Sequence, residues 1–547
     1  MTIKTEPSEI WQEYQQGVNY KTAIDLYENT RVNENFYIGK QWEGLNAPDL
    51  PKPTLNFLKR VVSYCIAMIV SDDVAVSFAP MAGDSRMDAT AKIIAAEVEK
   101  VIEQVDAASM HRSVVRNAAV NGDGMVYLWF DADAETGQDA KGAIKIENIE
   151  SINFHPGNPY IKSVQQQPYI IISLRKIAGE IREEAKENGM SEEDINNIEP
   201  DSDSQQGESG DSSQLGTELI KLWRDKETGT IKAKKVTEKA NVKKEWDTGL
   251  KLYPVASMRW EEVRSQFFGN AMLNGLIQNQ ISVNRLFAMT IRSVEMNAFP
   301  KVVYDGTKIE KWTNRVGEAI KSNGPVDQQI MMPVRGGDVS SQVMQIIESV
   351  ITLTRDFMGA SDAALGNVKP DNTSAIIATQ QATAMPLTLQ QREFYRFVEE
   401  YVRIIVDMIR ANYGKREIIV RDKALFSALV PSELLKLAPN AEAYPVQVDF
   451  SMLDSANMNL RVDVGAAAYW NELMQTQSMD NLVKSGIVTD MEVYIESIPD
   501  KMLRNKNKIL ESIREQKALA QQQAAMQAQL QQGAPPQGGV SNMLRQP

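Results

Sequence analysis

Between residues 270 and 413, three apolar segments of helical period are separated by two stretches that cannot continue a helix. This alternation restricts the folds open to the chain more than any other feature. Leu273, Leu276, Ile277, Ile281, Val283, Leu286, Phe287, Ile291 and Val294 recur at helical spacing, with apolar residues on more than one side. Val343, Ile346, Ile347, Val350, Leu353 and Phe357 define a second helix. Phe394, Phe397, Val398, Tyr401, Ile405, Met408 and Ile409 mark a third, read over 373–413, in which Pro386 predicts a kink because proline removes a donor and crowds the preceding turn. The first gap, 299–335, holds short strands and turns such as "PKVVYDG" and "IMMPVRGG". The second, "MGASDAALGNVKPDNTSA" (358–375), contains Gly359, Gly366, Pro370 and two Asn. Loops beyond about 12 residues without structure of their own are functional or disordered.

The remaining segments alternate by blocks rather than by βαβ units, which predicts an α+β fold. Residues 8–38 read as one helix ended by Gly39, "TLNFLKRVVSYCIAMIV" as a buried helix, and 87–120 as another closed by a turn at "NGDG" (121–124). "MVYLWF", "AIKIENI" and "YIIISL" read as strands, as do "ELIKLWRD", "TIKAKKVTEKANVKKEW" and "LYPVASMRW", the last group with an exposed, lysine-rich face. Segment 215–253 has ten Lys/Arg against six acidic residues, a pattern that more often guards a strand edge than binds nucleic acid. "REIIVRD" and "YPVQVDFSM" add two strands. Residues 456–530 read as helical, and the tail 531–547 as disordered.

Charge is distributed unevenly. Of the total of −13, −10 falls within residues 180–214, leaving −3 on the rest, while 501–547 carries seven Lys/Arg against two Glu. The acidic block 191–214 lacks aromatic residues and apolar period and reads as a solvated loop or disordered insertion. An acidic total argues against a groove that wraps nucleic acid, yet it is compatible with a surface that DNA slides past. Cys65 is the only cysteine, so no intrachain disulfide is possible, which fits a reducing compartment. Its position in a ten-residue apolar run suggests a packed core thiol. That run is too short for a membrane span and begins too late for a signal peptide, so a soluble protein, cytoplasmic in the producing cell, is expected.

No catalytic signature emerges. No phosphate-cradling GxxxxGK[ST] motif occurs, and the two histidines, His111 and His155, lack a Cys cluster or a nucleophile motif, so structural roles are expected for both, His155 in a turn. Neither an enzymatic activity nor a cofactor or metal is expected.

"FGNAMLNGLIQNQISVNRLFAMTIRSVEMNAFPKVVYD" and "DFMGASDAALGNVKPDNTSAIIATQQAT" resemble the stem and tunnel-loop regions of the portal proteins of tailed bacteriophages. "NFYIGKQWEG" and "KPTLNFLKRVVSYCIAMIVSDDVAVSFAP" are similar to that family's opening segment, and the resemblance extends over most of 8–510. It implies a wing (1–267, with the acidic insertion at about 190–214, plus strands 414–455) and two stem helices (268–298 and 341–358). It further implies a clip (299–340), a tunnel loop (359–372), a long kinked helix (373–413) and a helical crown (456–530). By resemblance, the chain would form a dodecameric ring at one capsid vertex of the virion, assembled in the host cytoplasm. That ring would conduct double-stranded DNA and dock the terminase large subunit, then neck or tail adaptor proteins, beside major capsid and scaffolding proteins and without contact to a membrane. Asn367, Lys369, Asn372 and Thr373 would line the channel, and Lys308, Lys311 and Arg315 would face the motor. The alternatives are another virion or neck protein, or a large α+β scaffold without a channel.

Overall fold

The structure, a computed structural model, describes residues 3–70, 77–79, 85–135, 141–201, 215–311, 313, 315, 319–324, 331–334, 341–358, 387–420, 444–450, 461–463 and isolated positions from 479 to 517. The chain divides into two compact units, residues 1–72 with 76–464 and residues 73–75 with 465–547.

In chain order the first unit begins with α1 (Pro7–Ala23), α2 (Leu26–Ile38), α3 (Phe57–Val70), β1 (Ser77–Ala79), α4 (Ser85–Gln104) and α5 (Ala107–Asn121). The helix expected over 8–38 is interrupted, because Asp25 takes left-handed backbone at φ 55° and α2 sets off in a new direction. The helix expected over 87–120 breaks the same way at Asp106, φ 48°. Aspartate is among the few non-glycine residues that tolerate this region, and tertiary packing on both sides holds the strain. In α3, Leu58, Val61, Val62, Cys65, Ile66 and Ile69 form one buried stripe, and burial pushes the Cys65 thiol up to about 12. Cys65 is a core thiol, as its apolar run implied.

Next come β2 (Asp123–Asp131), β3 (Ala143–Ile149), β4 (Phe154–Pro156), β5 (Tyr169–Ile177), α6 (Ala178–Glu187), α7 (Glu192–Asn196), β6 (Leu215–Arg224), β7 (Ile231–Val236), β8 (Asn241–Asp247) and β9 (Val255–Arg259). They build two antiparallel sheets, ordered β3-β2-β9 and β4-β5-β6-β7-β8. The mixed α+β class expected from the sequence is therefore the one adopted. The turn expected at Asp123-Gly124 is instead the start of β2. A side chain at Gly124 would collide with the Val114 carbonyl, so close helix–strand approach explains the glycine better than a turn does. His155, expected in a turn, lies in β4.

One face of the five-stranded sheet is covered by α1, whose Ile10 packs among Tyr169, Ile171, Leu219, Trp223 and Val236. The opposite face receives α6 and α7, where Ile181, Ala185, Met190 and Ile198 meet Ala240 and Val242. This corrects the reading of 191–214 as solvated throughout. Ser191 caps α7, its hydroxyl accepting from the Asp194 amide at 3.1 Å, and Asp194 in turn accepts from the Asn241 amide at 3.0 Å. Ile198 is fully buried. Residues 202–214 lie outside the described residues.

The lysine-rich face is likewise largely engaged. Lys221 is completely buried, Lys232 pairs with Asp225 and Glu245, and Lys235 pairs with Glu184. These positions belong to inner strands, so the alternation does not mark a free edge.

The unit continues through α8 (Ile277–Ala298), β10 (Lys301–Tyr304), β11 (Met331–Val334), α9 (Ser341–Phe357), α10 (Thr388–Asn412), β12 (Lys415–Val420), β13 (Tyr444–Asp449) and β14 (Arg461–Asp463). β12 and β13 pair antiparallel, and β1 pairs with β14, so 461–463 is strand where helix was expected. Pro386 and the first part of the expected 373–413 helix lie outside the described residues; α10 buries Phe394, Phe397, Val398, Tyr401, Ile405, Met408 and Ile409, the stripe seen in the sequence. His111 of α5 meets it, with Nε2 2.9 Å from the Tyr401 hydroxyl and the ring edge-on to Phe394. Burial lowers His111 to about 4, so it is a neutral core residue at pH 7. In the second unit the described positions include buried Ile495, Ile498 and Leu510.

Candidate functional site

The feature that stands out from the body is a hairpin. Asn279 in the first turn of α8 donates to Thr354 near the end of α9 at 3.0 Å, so the two helices run antiparallel. At the far end, Lys301↔Val334 through Tyr304↔Met331 pair β10 with β11 into a short antiparallel ribbon. On α9 only Ile347 and Thr354 are buried among the described side chains.

Most of the apolar surface of this hairpin faces solvent. Of the 21 exposed large hydrophobic side chains among the described residues, 14 lie between Ile281 and Phe357, including Val294 at 60%, Phe299 at 66% and Phe357 at 80% exposed. Scattered exposed hydrophobics need no explanation, but this concentration requires a covering surface.

The root of α8 is held mainly by amides. Its buried face carries Ile277, Gln280, Val283, Asn284 and Ala288. Gln280 Nε2 donates to the Leu55 carbonyl (2.8 Å) and to Asn284 Oδ1 (2.9 Å); Asn284 Nδ2 donates to Gln41 Oε1 (2.6 Å). One turn earlier, Asn33 Nδ2 of α2 donates to Asn274 Oδ1 (2.8 Å), and Asn274 Nδ2 to Asn270 Oδ1 (2.7 Å). Buried amides in such chains fix register, because each lost partner leaves an unpaired polar group. Sequence reasoning missed this seam, although "GNAMLNGLIQNQISVN" shows its amide density.

Just before that root the backbone passes close to the sheet. Gly122, at φ 98°, lies so near Gly269 that a side chain on either would meet the other's carbonyl. Asp123, fully buried, accepts from the Gly269 amide at 2.9 Å. Burial pushes its carboxyl up to about 7, outweighing Arg259 and the Gly269 hydrogen bond, which both favour the charged form.

Of the sequence-predicted motor-facing residues, Lys308 is half-buried in a turn closed by its amide to the Asp305 carbonyl (3.0 Å) and anchored by buried Ile309. Lys311 and Arg315 are exposed. All three follow β10 at the hairpin tip. The channel candidates Asn367, Lys369, Asn372 and Thr373 lie outside the described residues, as does the whole 359–372 loop.

Elsewhere, a cleft of about 400 Å³ between α10 and β9 is lined by Lys162, Arg259, Arg396 and Arg403 together with Glu393 and Glu400. Its charges largely satisfy one another or nearby groups, as Arg403 does with Glu399 and Lys162 with Glu262. Burial raises the Glu400 carboxyl. A second polar cluster sets His155 Nε2 3.3 Å from Lys21 Nζ and 3.4 Å from Ser173 Oγ. All three are buried under α1, where Gly17 leaves room for the imidazole, and burial lowers both Lys21 and His155 well below their ordinary values. This is a sealed structural clamp. Among the described residues no group of three or more His, Cys, Asp and Glu is placed to hold a metal, and no helix is long and apolar enough to cross a membrane. No protein-family model matches the sequence, and no curated protein is a significant match.

Proposed function

We propose that this chain is a portal-type subunit, one of a dodecameric ring through which double-stranded DNA passes at a capsid vertex. The observation that carries the reading is the antiparallel α8–α9 hairpin with its unpartnered apolar surface. A lone hairpin of this kind in water exposes more apolar area than a soluble monomer tolerates, whereas packing side by side around an axis covers every copy equally. The root of the hairpin is tied to an α+β body by buried hydrogen bonds, which suits an arm that must hold its angle in a closed ring. The order of body, helix, β-ribbon, helix and loop is also the order of the sequence segments that resemble portal proteins.

On this reading the residue 359–372 loop faces the axis, and Lys369 supplies one cation per subunit. A sparse ring of positive charge in an otherwise acidic particle guides phosphate without holding it. Lys311 and Arg315 at the hairpin tip are then available to the packaging motor. Native mass measurement and negative-stain imaging of the purified full chain test the proposal: a discrete large multimer with a central hole is expected, and a stable monomer at micromolar concentration overturns it.

A further inference from the structure

We infer that the loop of residues 39–56 is a second subunit contact, seating against a neighbouring copy of this chain and continuing the apolar contact of the hairpin. The inference rests on the ring reading above and adds to it a surface outside the stem.

The loop is closed and stiff. Asn56 Nδ2 donates to the carbonyls of Phe36 (3.2 Å) and Tyr37 (2.9 Å), joining its two ends. Trp42 Nε1 donates to the Pro53 carbonyl at 2.8 Å and Lys52 Nζ to the Leu45 carbonyl at 3.1 Å, bracing it across the middle. Pro48, Pro51 and Pro53 fix three backbone torsions. A loop with joined ends and internal bracing is an Ω-loop, a form often given to function.

It also moves with the hairpin. Gln280 of α8 holds the Leu55 carbonyl, and Asn284 holds Gln41, whose own Nε2 donates to the Phe36 carbonyl at 3.1 Å. The loop is thus fastened to the first two turns of the helix that carries the exposed apolar surface.

Its outward side chains are apolar. Ile38 is 47%, Leu45 46% and Leu55 43% exposed, and Ile281, the residue after Gln280, is 40% exposed. A surface that covers Ile281 therefore reaches Leu55 without a gap in the chain of bonded neighbours. Two Lys/Arg and two Asp/Glu between residues 39 and 56 balance to zero. Neutrality gives no attraction for nucleic acid and no repulsion between identical copies, which favours a second copy as the occupant.

The test uses the full chain. With the wild type multimeric, the Leu45→Glu/Leu55→Glu double variant is expected to raise the midpoint concentration for assembly about tenfold or more, because a charge replaces buried apolar area at two contacts. Circular dichroism checks that it stays folded. Unchanged assembly overturns this inference and leaves the ring reading standing, whereas a monomeric wild type removes the ring reading itself. Should the double variant not fold, Leu45→Cys decides. Cys65 is buried, so maleimide labelling reads residue 45, and it should be about tenfold slower in the multimer than after dilution below the assembly midpoint. Equal labelling rates overturn the inference.

Discussion

Asp123 Oδ1 and Arg259 Nε face each other at 3.8 Å, each buried and without a hydrogen-bond partner among the described residues. The guanidinium is held back by other contacts: it donates to the Lys162 carbonyl and lies over the Phe267 ring at 4.8 Å. An ion pair that stops short of a hydrogen bond does not compensate fully for desolvation.

This pair makes stability depend on pH in an unusual direction for an aspartate. The folded carboxyl sits at about 7 and the unfolded one near 3.8, so the folded state binds the extra proton between these values. Stability is therefore fully present below the unfolded value and declines as pH rises toward 7, by something on the order of a few kcal/mol. Asp123→Asn should flatten this slope in denaturant titrations at pH 5 and pH 8. An unchanged slope would assign the pH dependence to other groups.

The N-terminal helix depends on a buried charge. Lys221 Nζ donates to Glu13 and to the Lys4 carbonyl (2.8 Å), beneath the Tyr169 ring. Glu13→Ala should destabilise by about 3–5 kcal/mol because it strands a buried ammonium. Replacing both partners, Glu13→Leu with Lys221→Met, should cost clearly less than the two single changes added. Additive losses in a double-mutant cycle would show that the pair is not coupled.

In the acidic block, Ile198→Ala should lower stability by about 2–4 kcal/mol, since the side chain fills a packed site between α6 and β8. Thermal melting checks this. A change within about half a kcal/mol would restore the view that the whole block is solvated.

Lys369 tests the channel. Lys369→Glu should leave folding and assembly within about half a kcal/mol of wild type, as exposed loop changes normally do. Packaged genome length should fall, because a ring of loop cations becomes a ring of anions facing phosphate. Lys369→Ala should be milder. Wild-type packaging by the Glu variant, with rings confirmed first, would remove this loop from the DNA path.

What the sequence conveyed best was periodic burial. The stripes of α3 and α10 and most strands lie where their apolar spacing put them, because burial of a regular element leaves a regular pattern. The breaks at Asp25 and Asp106 left no glycine or proline to read; packing imposes them. The Ser191–Asp194 cap is a legible start signal, but the surrounding negative charge masked it. Lys221 sits in an alternating polar pattern, yet its strand is internal and a helix covers it, which only tertiary structure reveals. The amide seam was visible as composition but not as contact, since its partners lie more than two hundred residues apart in the chain, as Asn33 and Asn274 do.

That seam governs how force travels. Aliphatic interfaces yield by gradual sliding, because one methyl group substitutes for another with little change in energy. Hydrogen bonds between side-chain amides are directional and short-ranged, so they hold at full strength over a small displacement and then fail together. A push on the hairpin tip is therefore delivered to α2 and the 39–56 loop as rotation of one stiff lever. The root of α8 behaves as a brittle joint rather than a lubricated one.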